Sequence, residues 1–214
     1  MGTSCFLKLK THIYMKRLFT IAILLTMTLA SFAQFAFYSS MNLIPFGKPK
    51  QMIARNDQSP VVERYNFDEQ GRIMSVKSGD NEVRYEWSGD NEVTMRGFTN
   101  GIEQQHMKFT ATENTSKRKT FISEDGFMTI TYYFKNNGAL DYSTAGSGGY
   151  QIVSRQLYNS LEDFIPCATE QEMAGQIMRT DYKNINCDSQ GNPISFIVRG
   201  NGRSMEITRE ITYY

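Results

Sequence analysis

Downstream of Pro60, apolar and polar residues alternate with a period of two, and acid-to-glycine bends interrupt the alternation. In Arg64-Tyr65-Asn66-Phe67-Asp68-Glu69-Gln70-Gly71-Arg72-Ile73, Tyr65 and Phe67 fall on one face of an extended segment, and Arg64 and Asn66 on the other. Asp68 to Gly71 supplies turn chemistry. The acid accepts backbone N–H groups at the start, and glycine takes the positive φ that other residues resist. From Ile73 to Lys77 the alternation runs back, so the unit is a β-hairpin. One hairpin is marginal in water, so successive hairpins must pair into one antiparallel sheet.

Related units follow. Arg84-Tyr85-Glu86-Trp87-Ser88 repeats the opening, and Lys108 to Thr112 repeats it weakly. Thr131-Tyr132-Tyr133-Phe134-Lys135-Asn136-Asn137-Gly138-Ala139-Leu140 superposes on the first unit without a gap. Ile185 to Ile194 keeps the bend, and the chain closes on Arg209-Glu210-Ile211-Thr212-Tyr213-Tyr214. Ser78-Gly79-Asp80-Asn81-Glu82-Val83 recurs as Ser88-Gly89-Asp90-Asn91-Glu92-Val93, which reads as paired hairpin turns. Two separated turns of this kind lack the oxygen ligands at alternating loop positions that calcium needs. One stretch breaks the pattern. Gly146, Gly148 and Gly149 mark a loop, and Tyr150 to Tyr158 reads as a strand. Residues 159–178 then read as a helical insertion split by Pro166, with Thr169-x-x-Glu172 at capping-box spacing. The expected fold is mainly β: an antiparallel meander of hairpins, forming an open curved sheet or partial barrel, with one short helical insertion that covers a sheet edge.

The N-terminal region has a different character. Lys16 and Arg17 precede an apolar run from Leu18 to Ala30, and Ser31-Phe32-Ala33 provides small residues for cleavage between Ala33 and Gln34. Residues 1–33 are thus expected to be a helical signal peptide, with residues 1–14 an upstream extension and Met15 a plausible start. The apolar run is too short for the ~20 residues of a membrane-spanning helix, so no stable span is expected after processing. Residues 34–60, punctuated by Pro45, Gly47, Pro49 and Pro60, read as an extended lead-in, and residues 61–214 as the β domain. Export points to the periplasm, the cell surface or secretion.

Charge adds an exclusion. Four of the 23 basic residues and none of the 22 acids lie before the cleavage point, leaving the mature chain near −3, a poor footprint for nucleic acid. Of the three cysteines, Cys5 leaves with the leader, while Cys167 and Cys187 form an even pair that an oxidising compartment could bridge. The alternative is two unpaired thiols.

The string at 64–73 resembles a YD repeat, the unit of RHS and teneurin-like proteins. The match is close at 64–73, fair at 131–140 and partial at 84–88 and 185–194. The chain is similar in this respect to short exported proteins of Bacteroidota. The resemblance implies a hairpin array, an extracytoplasmic setting and carbohydrate contact. It implies no catalytic residue, because YD repeats are structural, and the chain is too short for the shell that large members build.

Candidate chemistry is sparse. His106 is the only histidine after the leader, and with Cys167 or Cys187 it offers a thin nucleophile pair and too few ligands for zinc. No cofactor is expected. The leading expectation is a non-enzymatic envelope module that contacts glycan or a protein partner through Tyr85, Trp87, Tyr132 and Phe134; the bland reading of these aromatics is core. The alternatives are a purely structural envelope component, or a hydrolase with its site at 146–180.

Overall fold

The computed structural model describes residues 46–214; the leader, the Ala33/Gln34 cleavage point and residues 34–45 lie outside that range. Within it the chain forms fourteen strands and no helix. They are β1 (Pro49–Asn56), β2 (Ser59–Phe67), β3 (Ile73–Ser78), β4 (Asn81–Ser88), β5 (Glu92–Thr99), β6 (Ile102–Asn114) and β7 (Arg118–Ser123). They continue as β8 (Met128–Phe134), β9 (Leu140–Ser147), β10 (Tyr150–Leu157), β11 (Ala168–Met173), β12 (Gln176–Cys187), β13 (Pro193–Gly200) and β14 (Arg203–Tyr213). Each strand pairs antiparallel with its sequence neighbours, and β1 pairs with β14 from Pro49↔Tyr213 to Asn56↔Ile207, which closes the sheet into a barrel.

The expected hairpin meander is present, but it is a closed barrel and not an open sheet. Closure removes the edge strands, so no insertion is needed to cover one. The expected helix at 159–178 is not formed. Residues 158–167 are a loop, and β11 and β12 make a hairpin around Ala174-Gly175. Thr169 and Glu172 have capping-box spacing, yet both lie in β11, which is hydrogen-bonded to β10 and β12 along its whole length. A local cap is worth about 1 kcal/mol, and two complete ladders outweigh it. The lead-in also differs from expectation, because residues 49–56 are β1, the strand that shuts the barrel.

The acid-to-glycine bends fold as their chemistry dictates. At Asp68–Gly71, Gly71 N–H donates to Asp68 O (2.9 Å), and Asp68 N–H donates to Arg72 O (2.9 Å). The bends Lys135–Gly138 and Asp188–Gly191 repeat both bonds, and their glycines hold φ of 89° and 91°. Each bend is accompanied by a register shift in the strands it joins, at Asn66/Phe67, Tyr133/Phe134 and Asn186/Cys187. This is a three-residue-type hairpin with a bulge, a general solution for joining twisted strands.

All these bends lie at one end, called the broad rim for its longer connections and opposite the narrow rim of short turns, with the 89–91, 115–117 and 158–167 connections. Neighbouring loops are laced together there. Arg72 donates to Gly89 O (2.8 Å), Asn114 to Asn91 Oδ1 (3.0 Å), and Lys117 to Asn136 Oδ1 (2.9 Å). The fully buried Asn192 latches the entering chain. Its Nδ2 donates to Phe46 O (2.8 Å) and to the Tyr213 hydroxyl (2.7 Å), and its Oδ1 accepts from Phe46 N–H (2.9 Å). The Tyr213 hydroxyl donates in turn to Asp188. The opposite end, the narrow rim, consists of short turns at 57–58, 79–80, 100–101, 124–127, 148–149, 174–175 and 201–202.

Two tests follow from these turns. Ala174 sits at φ 50°, in the left-handed region that costs an L-residue ~1–2 kcal/mol. Ala174→Gly should therefore raise the unfolding free energy by about 0.5–1 kcal/mol, read as a higher urea midpoint at unchanged slope. At Asp188, burial alone would raise the carboxyl. Hydrogen bonds from Tyr213 and from the backbone of Asn192, Gln190 and Gly191 outweigh it and hold the group below the ordinary carboxylate range. A depressed folded value stabilises the fold above the unfolded value of about 3.9, and that stability is lost as pH falls through the folded value. Thermal melts of Asp188→Asn from pH 2 to 7 should show a flatter acid limb than the native chain.

Candidate functional site

On most strands the burial pattern separates an inner from an outer face. On β4, Val83 and Tyr85 are buried and Trp87 is half-buried, while Arg84 and Glu86 between them are exposed. The outer face is charged. Arg96 lies 3.3 Å from Glu86 and 3.4 Å from Glu103; Lys108 lies 3.3 Å from Glu92. Further round the wall, Arg155 pairs with Glu172 at 3.1 Å, Arg179 with Glu170 at 3.3 Å, and Arg55 with Glu210 at 2.6 Å. Tyr133 and Tyr142 stack on the outside with ring centroids 4.1 Å apart.

The inside has two regions. From β1 to β9 it is dry: Tyr85, Phe109, Phe121, Ile130, Tyr132 and Leu140 form a continuous core, each at most 2% exposed. From β10 to β14 the inward Ile152, Met173, Met178, Val198, Met205, Ile207 and Ile211 are only half-buried, while Ser154, Gln156, Thr169 and Phe196 among them are buried. A barrel of eight strands is narrow enough for side chains to fill, and a wider one leaves a lumen. Large aromatics fill this barrel on one side, and the other side keeps solvent-accessible space.

A polar cluster stands beside that space. Register places Ala54 between Glu63 of β2 and Arg209 of β14, so two long side chains flank a single methyl group. The Tyr65 hydroxyl donates to Glu63 Oε2 (2.7 Å). The Arg209 guanidinium stacks on the buried Phe196 ring at 4.5 Å, and Tyr182 meets the same ring edge-on at 5.9 Å. Thr169 Oγ1 donates to Gln156 Oε1 (2.8 Å) and pairs with the Tyr182 hydroxyl at 3.0 Å. Burial pushes the Arg209 guanidinium down to about 10, against the pull of Tyr65, Tyr182 and Glu63. Burial likewise raises Tyr65, helped by Glu63, and raises Tyr182. The site is thus one enclosed cation ringed by phenol, hydroxyl, amide and carboxylate groups, with an apolar surface next to it.

The residues singled out in the sequence lie elsewhere. Tyr85, Tyr132 and Phe134 are core, at 1%, 1% and 8% exposure, and Trp87 packs against them while its Nε1–H donates to Ile73 O (3.0 Å). They point inward because period-two alternation fixes them on the face that the barrel encloses. Cys167 and Cys187 are free thiols. Cys167 O accepts from Tyr182 N–H, and Cys187 stands five residues further along β12, roughly 16 Å away at strand rise. His106 is on the outer face, with Nδ1 3.3 Å from Glu103 Oε1. The Asp80 and Asp90 turns fall on opposite rims, with β4 between them. Within 146–180, Gln156 and Thr169 reach the lumen cluster. Sequence reasoning missed Arg209 and Glu63, although parity marks both: Arg209 alternates in phase with Ile207 and Ile211, and Glu63 with Tyr65 and Phe67.

No family model matches the chain, and no curated protein matches it. Two solved structures are similar to it in fold. A porin-like protein from Bacteroides vulgatus ATCC 8482 is 13% identical with a TM-score of 0.47, covering 78% of this chain and 99% of that one. A porin-like protein from Bacteroides uniformis ATCC 8492 is 13% identical with a TM-score of 0.42, covering 79% and 98%. The resemblance to YD repeats is not upheld. The repeated bends are hairpin turns at one rim of a closed fourteen-stranded barrel. Tyr-x-Phe-Asp-x-x-Gly is what inward aromatics followed by a bulged turn look like in sequence.

The enclosed cation gives a stability test. Removing one member of a buried charge pair leaves the other uncompensated and costs up to about 3–5 kcal/mol. Arg209→Met, which takes away the cation that acts on Glu63, is therefore expected to lower the thermal midpoint. An unchanged midpoint would mean that the guanidinium contributes no net stability to the cluster.

Proposed function

We propose that the mature protein is a non-enzymatic β-barrel of the cell envelope, working in an aqueous compartment outside the cytoplasm. The observation that carries this is the polarity of the wall, charged outside and aromatic inside. In a barrel that crosses a bilayer the outward positions form an apolar band, and Arg or Lys near the midplane costs ~2–4 kcal/mol each. Arg84 and Arg96 project outward from the middle of their strands, and Arg155 and Arg179 project outward nearer the ends of theirs, which favours water around the barrel. The signal-peptide pattern before Gln34 supports export, and the laced broad rim supports a rigid structural component. Contact with glycan or with an envelope protein uses the outer wall or a rim, because the inward aromatics are enclosed.

Fractionation of cells expressing the full chain tests this reading. The processed protein is expected in the osmotic-shock fluid or the medium, folded and monodisperse without detergent. Recovery only from the outer-membrane pellet, resistant to carbonate and released by detergent, would contradict it.

A further inference from the structure

The chain enters β1 from above the half-filled side of the barrel. Just before the strand, Gly47 holds φ of 75°, and a Cβ there would stand 3.0 Å from the Tyr213 ring, so the bend over Tyr213 calls for glycine. Phe46, on the far side of that bend, lies among the broad-rim connections that join β10 to β11 and β12 to β13. The side chain of Asn192 holds both its N–H and its C=O, and its ring meets Phe164 of the 158–167 connection at 5.4 Å. A Cβ on Gly191 would stand 3.2 Å from the same ring. The segment leading into Phe46 therefore starts over the arc where the inward Ile152, Met173, Met178, Val198, Met205 and Ile207 are only half-buried. Its sequence suits that arc. Residues 34–45 carry three aromatics (Phe35, Phe37, Tyr38), three other large apolar residues (Met41, Leu43, Ile44) and no charge. Solvated tails have the opposite composition, with few apolar residues and high charge. Twelve residues reach up to ~40 Å when extended, while the eight residues of β10 rise ~26 Å, so the segment is long enough to run the depth of the lumen.

We infer that the lumen is the docking site of the chain's own segment 34–45, whose apolar side chains lie against Met173, Met178, Met205 and Ile207. The wall suits such an occupant, because thioether side chains adapt to irregular apolar partners and make favourable contacts with aromatic rings. Covering the half-buried wall and the apolar residues of the segment together removes both from water. Space left beside them keeps water for the backbone polar groups of the segment. The outer wall, laid with ion pairs, offers no comparable apolar surface. A tether that ends at the latched Phe46 also holds the segment at high effective concentration over the mouth. The inference does not rest on the envelope reading, since the segment is continuous with Phe46 in whichever compartment the chain works.

Oxidation by dilute hydrogen peroxide, followed at each methionine by mass spectrometry, tests the inference, because thioether oxidation follows exposure. In the purified chain that begins at Gln34, Met173, Met178 and Met205 are expected to oxidise as slowly as the core residue Met52 and several-fold more slowly than the exposed Met74. Deleting residues 34–44 should bring the three lumen methionines to the rate of Met74, with Met52 and Met74 unchanged. Protection in the native chain should also persist on dilution, as expected of a segment acting on its own barrel and not on a second copy. Lumen methionines that oxidise as fast as Met74 in the native chain, protection that fades on dilution, or a folded deletion chain with no acceleration or with one that Met52 shares would each overturn the inference. Should the deletion chain lose its β circular dichroism, Phe37→Asp with Leu43→Asp keeps the segment's length and should accelerate the same three methionines. Unchanged rates in that variant would overturn the inference as well.

Discussion

Closing fourteen strands into one wall sets the terms for everything inside it. The circumference is fixed by strand number and spacing, while the side chains available to fill the interior are limited in size. A wall this long cannot be filled everywhere by one layer of inward residues. The chain meets the constraint unevenly. Tyr, Phe and Trp crowd the inward positions of β2 to β8, where Tyr85, Phe109, Phe121 and Tyr132 are almost fully enclosed. Inward positions from β10 to β14 carry mostly Ile, Val and Met, with Tyr182 and Phe196 the aromatics among them, and the aliphatic side chains stay half-buried. The dry core and the accessible lumen are therefore two consequences of one geometry.

The uneven filling explains where polar groups can survive. A hydroxyl or guanidinium in the aromatic region would need a protein partner for every donor. Beside an accessible lumen the same group keeps part of its hydration, and the cost of enclosure falls. Arg209 occupies this boundary, deep enough for its proton affinity to drop and near enough to open space to remain charged at neutral pH. Phe196 offers a π face, and Ala54 leaves room for the long side chains on either side of it.

Local features were legible in the sequence because they depend on local physics. Tyr65 and Phe67 alternate inward because strands alternate, and Asp68 and Gly71 bend the chain because of what their own atoms can do. Closure was not legible. It depends on β1 meeting β14, at opposite ends of the described chain, and no short-range pattern encodes that pairing. The segment 159–178 failed for a related reason. Its capping-box spacing is a local signal, and the ladders that convert Thr169 and Glu172 into strand come from β10 and β12. The lumen cluster lies between these cases. The parity of Arg209 with Ile207 and Ile211 was present in the sequence, but an inward arginine means little until the inside is known to be a lumen.

The wall argues most strongly about environment. A surface ion pair contributes ~0–1 kcal/mol in water, so the pairs among Arg96, Glu86, Glu103, Lys108 and Glu92 add little to stability. Their value lies in excluding alternatives. Charged outward positions oppose edge-to-edge strand addition during folding and make burial of the wall in lipid costly. Large exposed apolar side chains gather at the rims, Val61, Ile102, Phe127, Tyr150 and Ile177 toward one and Met74, Leu161 and Tyr214 toward the other. With ion pairs on its sides and its large exposed apolar side chains at its rims, the barrel presents apolar surface along its axis and charge around it.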